Sequence, residues 1–319
     1  MNQEEIRVPI YLITGFLEAG KTSFLNFTLR QNYFQQEAPT LLINTEEGEE
    51  EFDEKELLLK YRTEYEYIEE PEQFSYDNLR AFQRKYHPDR VVLEFNPLWG
   101  VAKLEAMKLP AGWGIAQQIV LVDATTFQIY QNNMKSLFVE MTKNADMVLF
   151  NRCTKDMPLA NYRRSIKIVN PGCSVEFIDV NDEPIDIFED SVPYDLTKDI
   201  IEIEDVDYGI FFVDLQDNRE RYEGKKVRFK GRVLKSKEAG ADYFVPARSA
   251  MTCCAEDIQY IGFLCQSKNA AKLAEGSWVT VTARVDYKYV PMAQDEEPVF
   301  KAITIQGAEA PDTELVYFN

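Results

Sequence analysis

Histidine is almost missing from this chain: His87 is the only one in 319 residues. A metal site built on several imidazoles of one chain is thereby excluded. His87 lies in Tyr86-His-Pro-Asp-Arg90, at an expected helix-to-strand junction, and reads as a surface or capping residue. Long apolar runs are missing as well, and a membrane span would need about 18 consecutive apolar residues. The opening Met1-Asn-Gln-Glu-Glu-Ile-Arg7 is acidic, unlike the basic start of a secretory signal. The expectation is a cytoplasmic protein that is not membrane-embedded. The five cysteines (Cys153, Cys173, Cys253, Cys254 and Cys265) show no secreted disulfide spacing and suit a reducing compartment. Positive charge is scarce: 35 Lys and Arg stand against 54 Asp and Glu, a net charge of −19. Such a chain repels polyanions, so no nucleic-acid partner is expected. Acidity is compatible with cation handling and equally with plain solubility.

At 319 residues, 45% of them hydrophobic, the chain is long for one core, and two domains are expected. Near its start, Gly15-Phe-Leu-Glu-Ala-Gly-Lys-Thr22 fits the phosphate-binding pattern G-x-x-x-x-G-K-[ST]. Residues 8–14 before it are apolar and β-branched, as a buried strand is. Residues 23–30 after it carry apolar side chains at helical spacing. In a strand–turn–helix context, backbone N–H groups face a nucleotide's phosphates. The expected phosphate-binding set is Gly15, Ala19, Gly20, Lys21, Thr22 and Ser23. Within it, Lys21 would reach the β/γ-phosphates and the Thr22 hydroxyl would bind Mg²⁺. Glu18, inside the same loop, has to point its carboxylate away from the phosphates.

Up to about residue 180, apolar strand-like runs (10–14, 40–44, 91–95, 119–123, 147–150, 175–178) alternate with amphipathic segments (21–31, 74–86, 126–143, 160–168). That alternation predicts an α/β domain over residues 1–180: a parallel sheet with helices on both faces and ligands at the carboxyl ends of its strands. Residues 181–207 are acidic, carry Pro184 and Pro193, and read as a linker with room for one strand. From about Tyr208 the pattern turns to β, with strands at 226–234, 243–247, 257–266, 277–287 and 299–306. A short helical piece at 269–274 is closed by Gly276. Five strands with a helix after the third is the layout of an OB-like barrel over 208–319; a β-sandwich is the competing architecture.

Three further constellations fall at expected strand ends. Val91-Val-Leu-Glu94 ends in a carboxylate that can hold Mg²⁺ through water or orient an attacking water, and Glu94 with Lys21 forms the expected catalytic pair. Asn44-Thr-Glu-Glu-Gly-Glu-Glu-Glu-Phe-Asp53 follows the second strand, where P-loop GTPases place a mobile switch. Its Glu46, Glu49 and Asp53 join Thr22 and Glu94 as candidate ligands for Mg²⁺ or a transported metal; the plainer reading is a solvated acidic loop. Asn151-Arg152, after a late strand, holds the place of a base-reading loop.

Together these pieces resemble the CobW-like P-loop GTPases, relatives of the nickel-insertion GTPases of urease and hydrogenase maturation, over residues from about 8 to 180. The matching segments are Thr14-Gly-Phe-Leu-Glu-Ala-Gly-Lys-Thr22, Glu46-Glu-Gly-Glu49 with Asp53, Pro88-Asp-Arg-Val-Val-Leu-Glu94, Leu121-Val-Asp-Ala-Thr-Thr-Phe127 and Phe150-Asn-Arg152. The resemblance implies a Mg-dependent protein that binds and hydrolyses GTP. It would serve as a metallochaperone or metal-homeostasis factor, with zinc or cobalt as the metal and a client protein to receive it. A homodimer is compatible with it.

The departures bear on mechanism. The family's Cys-x-Cys-Cys has no counterpart in residues 61–75, which hold no cysteine. Its Glu-x-x-Gly is Glu94-Phe-Asn-Pro97 here, and proline removes a backbone donor from the γ-phosphate side. Its Asn-Lys-x-Asp is Asn151-Arg-Cys-Thr154, and Thr cannot accept two hydrogen bonds from guanine as a carboxylate does. Asp156 is the alternative acceptor, and ATP stays open beside GTP.

Residues 208–319 resemble an uncharacterised domain of bacterial permease-associated proteins, through Tyr222-Glu-Gly-Lys-Lys-Val, Arg248-Ser-Ala-Met-Thr-Cys-Cys254 and Ile261-Gly-Phe. Cys253, Cys254 and Cys265 are candidates for a soft-metal thiolate site, completed by Asp257 or a partner chain. They read equally as small hydrophobes of a barrel core. The alternative function is a nucleotide-gated, non-catalytic adaptor that regulates a membrane permease through its barrel, which Pro97 and the altered base motif favour.

Overall fold

The computed structural model describes residues 6–185, 192–235, 239–251, 258–291 and 293–316. The chain divides into two compact units, one within residues 1–159 and 172–186, the other within 160–171 and 187–319.

The first unit holds seven strands: β1 (Val8–Thr14), β2 (Thr40–Asn44), β3 (Thr63–Tyr67), β4 (Arg90–Phe95), β5 (Trp113–Asp123), β6 (Met147–Asn151) and β7 (Ser174–Phe177). They pair in the order β3-β2-β4-β1-β5-β6-β7, and every pairing is parallel. Burial on both faces explains why these strands read as apolar runs; β2 and β4 are buried at every position. The connections carry α1 (Lys21–Leu29), α2 (Glu54–Tyr61), α3 (Tyr76–Tyr86), α4 (Val101–Ala106), α5 (Phe127–Asn133) and α6 (Lys135–Thr142). Leu25 and Leu29 of α1 and Leu57 of α2 share one cluster with Ile13, Leu42, Val92, Leu121 and Leu149. The next residue of β6, Phe150, points to the opposite face, where it meets Phe127 of α5. The sheet is therefore covered on both faces.

Some local structure departs from the expectation. The edge strand β3, Thr63-Glu-Tyr-Glu-Tyr67, was hidden by its glutamates, which an edge tolerates. Residues 126–143 form two helices instead of one, broken at Met134 (φ −131°, ψ 37°). His87 caps the end of α3 in the left-handed region (φ 46°).

The second unit takes α7 (Leu159–Val169), which the sequence had assigned to the first domain. The reason is electrostatic and apolar: Arg163 and Lys167 pair with Asp217 at 3.3 and 3.5 Å, and Ile168 packs against this unit's core. The expected linker holds β8 (Ile200–Glu202), which joins the second sheet. Next come α8 (Tyr208–Asp217) and α9 (Arg219–Tyr222), where the sequence pattern was taken as already β. Residues 208–215 of α8 are buried at all but one position, so the helix is apolar all round and shows no helical period.

The remaining strands are β9 (Lys226–Leu234), β10 (Tyr243–Met251), β11 (Ile258–Ile261), β12 (Cys265–Gln266), β13 (Trp278–Val290), β14 (Asp295–Gly307) and β15 (Leu315–Val316). β9 pairs with β10 and β13, β13 with β14, β14 with β12, and β12 with β10, so the five close into a ring. Only the β12–β14 pairing in this ring is parallel, and a 3-10 turn at Ala270–Lys272 separates β12 from β13. A closed ring in this order is the OB-like barrel layout and decides against the sandwich. No helix among the described residues is long and apolar enough to cross a membrane.

Candidate nucleotide site

The turn between β1 and α1 has a backbone that only glycine permits. Gly15 sits at φ 147°, and a Cβ there would lie 2.3 Å from the Leu121 carbonyl oxygen. Gly20, at φ 84°, is the N-cap of α1 and offers no side-chain cap. The first-turn N–H groups of α1 therefore point out of the turn without an intrahelical partner, an arrangement that favours anions. Glu18 is exposed at φ 62°, and its carbonyl accepts from Arg152 Nη1 at 2.9 Å.

Lys21 is buried at 3% exposure. Its Nζ donates to the carbonyls of Gly15 (3.0 Å) and Phe16 (2.9 Å) and forms an ion pair with Glu46 at 2.5 Å. Thr22 Oγ1 donates to Glu94 Oε1 at 2.9 Å. The parallel register sets Glu94 opposite Ile13 of β1 and Asn44 of β2, so the carboxylate emerges beside both loops. Burial pushes the Glu94 carboxyl up to about 7, against the pull of the Lys21 charge and the Thr22 hydroxyl. Glu46 is held from behind: its N–H donates to Asn44 Oδ1 at 3.0 Å, and Thr45 N and Oγ1 both donate to the Glu94 carbonyl at 3.1 Å.

One cleft collects Gly20, Lys21, Thr22, Ser23, Glu46, Glu49 and Glu94. Asp53 serves elsewhere, accepting from Glu56 N at 2.9 Å as the N-cap of α2. A hydroxyl and carboxylates are the hard oxygen donors that suit Mg²⁺, and Lys21 with open N–H groups suits phosphate oxygens. Glu46 takes up the Lys21 charge inside the cleft.

Beside this cleft lies a cavity of ≈ 380 Å³, lined by Ser23, Phe24, Phe27, Leu121, Leu149 and Asn151 and by Arg152 and residues 178–180 and 182. Asn151 Nδ2 donates to the Ala19 carbonyl at 2.8 Å and ties the late loop to the phosphate loop. Arg152 Nη1 also reaches Asp123 Oδ2 at 2.5 Å. Asp179 and Asp182 were not singled out from the sequence, and Asp123 stood there only within the Leu121–Phe127 segment; an acid ending β5 and acids in the loop after β7 were the available signal.

Cys265 is fully buried in the barrel core, and burial pushes its thiol up to about 12. Cys253 and Cys254, like Asp257, lie outside the described residues. Among the described residues no group of three or more His, Cys, Asp or Glu is placed to hold a metal ion.

Residues 187–318 match the DUF1980 C-terminal domain. This is the stretch in which the sequence resembled the permease-associated domain. No curated protein matches the chain. Similar solved structures include the hydrogenase maturation factor HypB of Archaeoglobus fulgidus (13% identity, TM-score 0.40, covering 56% of this chain and 84% of that one). The Zn(II)-bound YjiA GTPase of E. coli (14%, 0.41) covers 92% of this chain and 88% of its own, as does a Zn(II)-bound triple mutant of YjiA.

Proposed function

We propose that the first unit binds GTP with Mg²⁺ and hydrolyses it, and that the protein is a GTP-driven metallochaperone or metal-homeostasis factor. The observation that carries this reading is the meeting of Lys21, Thr22, Glu94 and the open start of α1 in one cleft. Lys21 and the α1 N–H groups would take the phosphates. Thr22 and Glu94 would hold Mg²⁺, which when bound neutralises charge on the β/γ-phosphate oxygens. Glu94, beside the Thr22 hydroxyl at 2.9 Å, would hold Mg²⁺ through water or orient an attacking water. Release of Glu46 from Lys21 would pass the nucleotide state to the loop at 45–53. Glu46 and Glu49 line the same cleft, and zinc or cobalt as cargo for a client protein follows from the CobW resemblance.

Calorimetry with GTP, GDP and ATP, and Mg²⁺-dependent turnover of the wild type and Glu94→Gln, test the reading. Glu94-dependent GTP turnover supports it; so does Zn²⁺ or Co²⁺ stoichiometry that changes with a non-hydrolysable analogue. Identical metal binding in both nucleotide states would sink the coupling.

A second reading, the non-catalytic adaptor for a permease, has an observation of its own. Pro97 has no N–H, Asn96 N donates to Thr45 Oγ1 at 2.8 Å, and Leu98 N donates to Asn96 Oδ1 at 2.9 Å. The turn after Glu94 thus offers no open backbone donor from Asn96 through Leu98. Tight nucleotide binding with turnover no faster than that of Glu94→Gln would favour the adaptor.

A further inference from the structure

The loop after β7 brings to the cavity beside the phosphate cleft a carboxylate that the Asn151-Arg-Cys-Thr154 segment does not supply. Thr154 does not line the cavity, and neither does Asp156, whose carboxyl is held low by the Thr154 hydroxyl. Asp179 and Asp182 both line it. They differ in freedom. Asp179 Oδ1 accepts from the N–H groups of Asn181 (2.7 Å) and Glu183 (3.0 Å), and its Oδ2 faces Asn181 Nδ2 at 3.3 Å, so it folds the loop. That fold turns Asp182 into the left-handed region, φ 62°, where its carboxylate has no hydrogen-bond or ion-pair partner among the described residues.

A second open acceptor belongs to the same cavity wall. Asn151 Oδ1 is buried and lacks a hydrogen-bond partner, while Asn151 Nδ2 is committed to Ala19. A buried acceptor left alone is unfavourable, so an occupant of this cavity should bring donors. Among purines, guanine brings two on adjacent atoms, N1–H and the 2-amino group, whereas adenine brings only its 6-amino group. Phe24, Leu121 and Leu149 supply the apolar surface on which a base can lie.

We propose that Asp182 is the guanine-reading residue of this protein, its carboxylate accepting from N1–H and the 2-amino group in place of the Asp absent at position 154. This rests on the nucleotide reading above and deepens it by assigning base selectivity to the loop after β7.

The test compares the wild type and Asp182→Asn, as full-length protein with Mg²⁺, in calorimetric titrations with GTP, XTP and ATP. Asn tolerates the left-handed backbone and replaces two acceptors by one acceptor and one donor, the complement of xanthine's N1–H and 2-oxo group. The expected result is a roughly 10- to 100-fold loss of GTP affinity with a comparable gain for XTP. Asp179→Asn, which weakens the loop itself, should lower the affinity for all three without reordering them. Wild type that binds GTP while Asp182→Asn keeps the same base order overturns the assignment and leaves the nucleotide reading standing. Preference of the wild type for ATP overturns the assignment as well. Wild type that binds none of the three overturns both.

Discussion

Burial raises the Glu94 carboxyl from 4.5 to about 7, so its effect on stability has the opposite sign to that of a salt-bridged surface carboxylate. Between those values the folded chain keeps a proton that the unfolded chain has released. The folded state binds more protons there, and stability falls as pH rises through the window. With the carboxyl raised from 4.5 to about 7, at about 1.4 kcal/mol for each pH decade, the loss is about 3 kcal/mol, complete above pH 7. Glu94 is 2% exposed, so solvent screening takes little from that figure. Glu94→Gln keeps an acceptor for Thr22 and cannot ionise. Urea denaturation without nucleotide or Mg²⁺, at pH 5 and pH 8, reads the difference between variant and wild type. The variant should be more stable by about 3 kcal/mol at pH 8 and nearly equal at pH 5. A difference that is the same at both pH values would refute the titration of Glu94 within the fold. Adding Mg²⁺ at pH 8 should close the gap, because the cation binds only the wild-type carboxylate.

Gly15→Ala should destabilise the first unit by about 3 kcal/mol or more and abolish nucleotide binding, since its Cβ would meet a backbone oxygen at 2.3 Å; a near-normal melting temperature would count against the turn geometry. Cys153, Cys173 and Cys265 are buried, with the Cys153 thiol pushed up to about 11 and that of Cys265 to about 12. A thiol reagent on native protein should therefore modify at most two of the five cysteines quickly, five less the three buried ones, and all five after unfolding. Arg248 is 1% exposed, pairs with Asp205 at 2.7 Å, donates to the Thr313 carbonyl at 3.1 Å and lies over the Tyr208 and Trp278 rings. Arg248→Met should cost the second unit about 2 kcal/mol in denaturant titrations, because Asp205 is partly solvated and keeps Lys230 at 3.0 Å. A loss within experimental error would show the network to be dispensable. Lys21→Ala should remove nucleotide binding, because it takes the buried cation out of the cleft; unchanged GTP affinity in calorimetry would count against the site.

Local chemistry was legible in the sequence because it depends on neighbours in the chain. The glycines at 15 and 20, the strand before them and the helix after them announce a phosphate-binding turn through spacing alone. Glu94 stands out because a carboxylate ends an otherwise apolar strand. Short apolar segments are where this reasoning stops: residues 208–215 are buried almost throughout, so α8 shows neither period and was taken for the start of a β region. Barrel closure was anticipated from strand count and the position of one helical turn, yet α7 lies with the second unit because of partners about fifty residues away, which no local pattern reports.

The amino-acid sequence by itself determined that a glycine-bearing strand–turn–helix of the phosphate-binding pattern exists, which residues of the chain build it, and that a parallel α/β sheet precedes a β-rich barrel. Tertiary structure alone decided what each of those residues faces. Lys21 meets Glu46 and Thr22 meets Glu94 only because β1, β2 and β4 lie side by side in register. Asp53 caps α2, and Asp182 arrives at the cavity from a loop nearly thirty residues beyond Thr154. The physical reason is that strand order and register come from packing across the whole sheet, which sequence spacing does not encode.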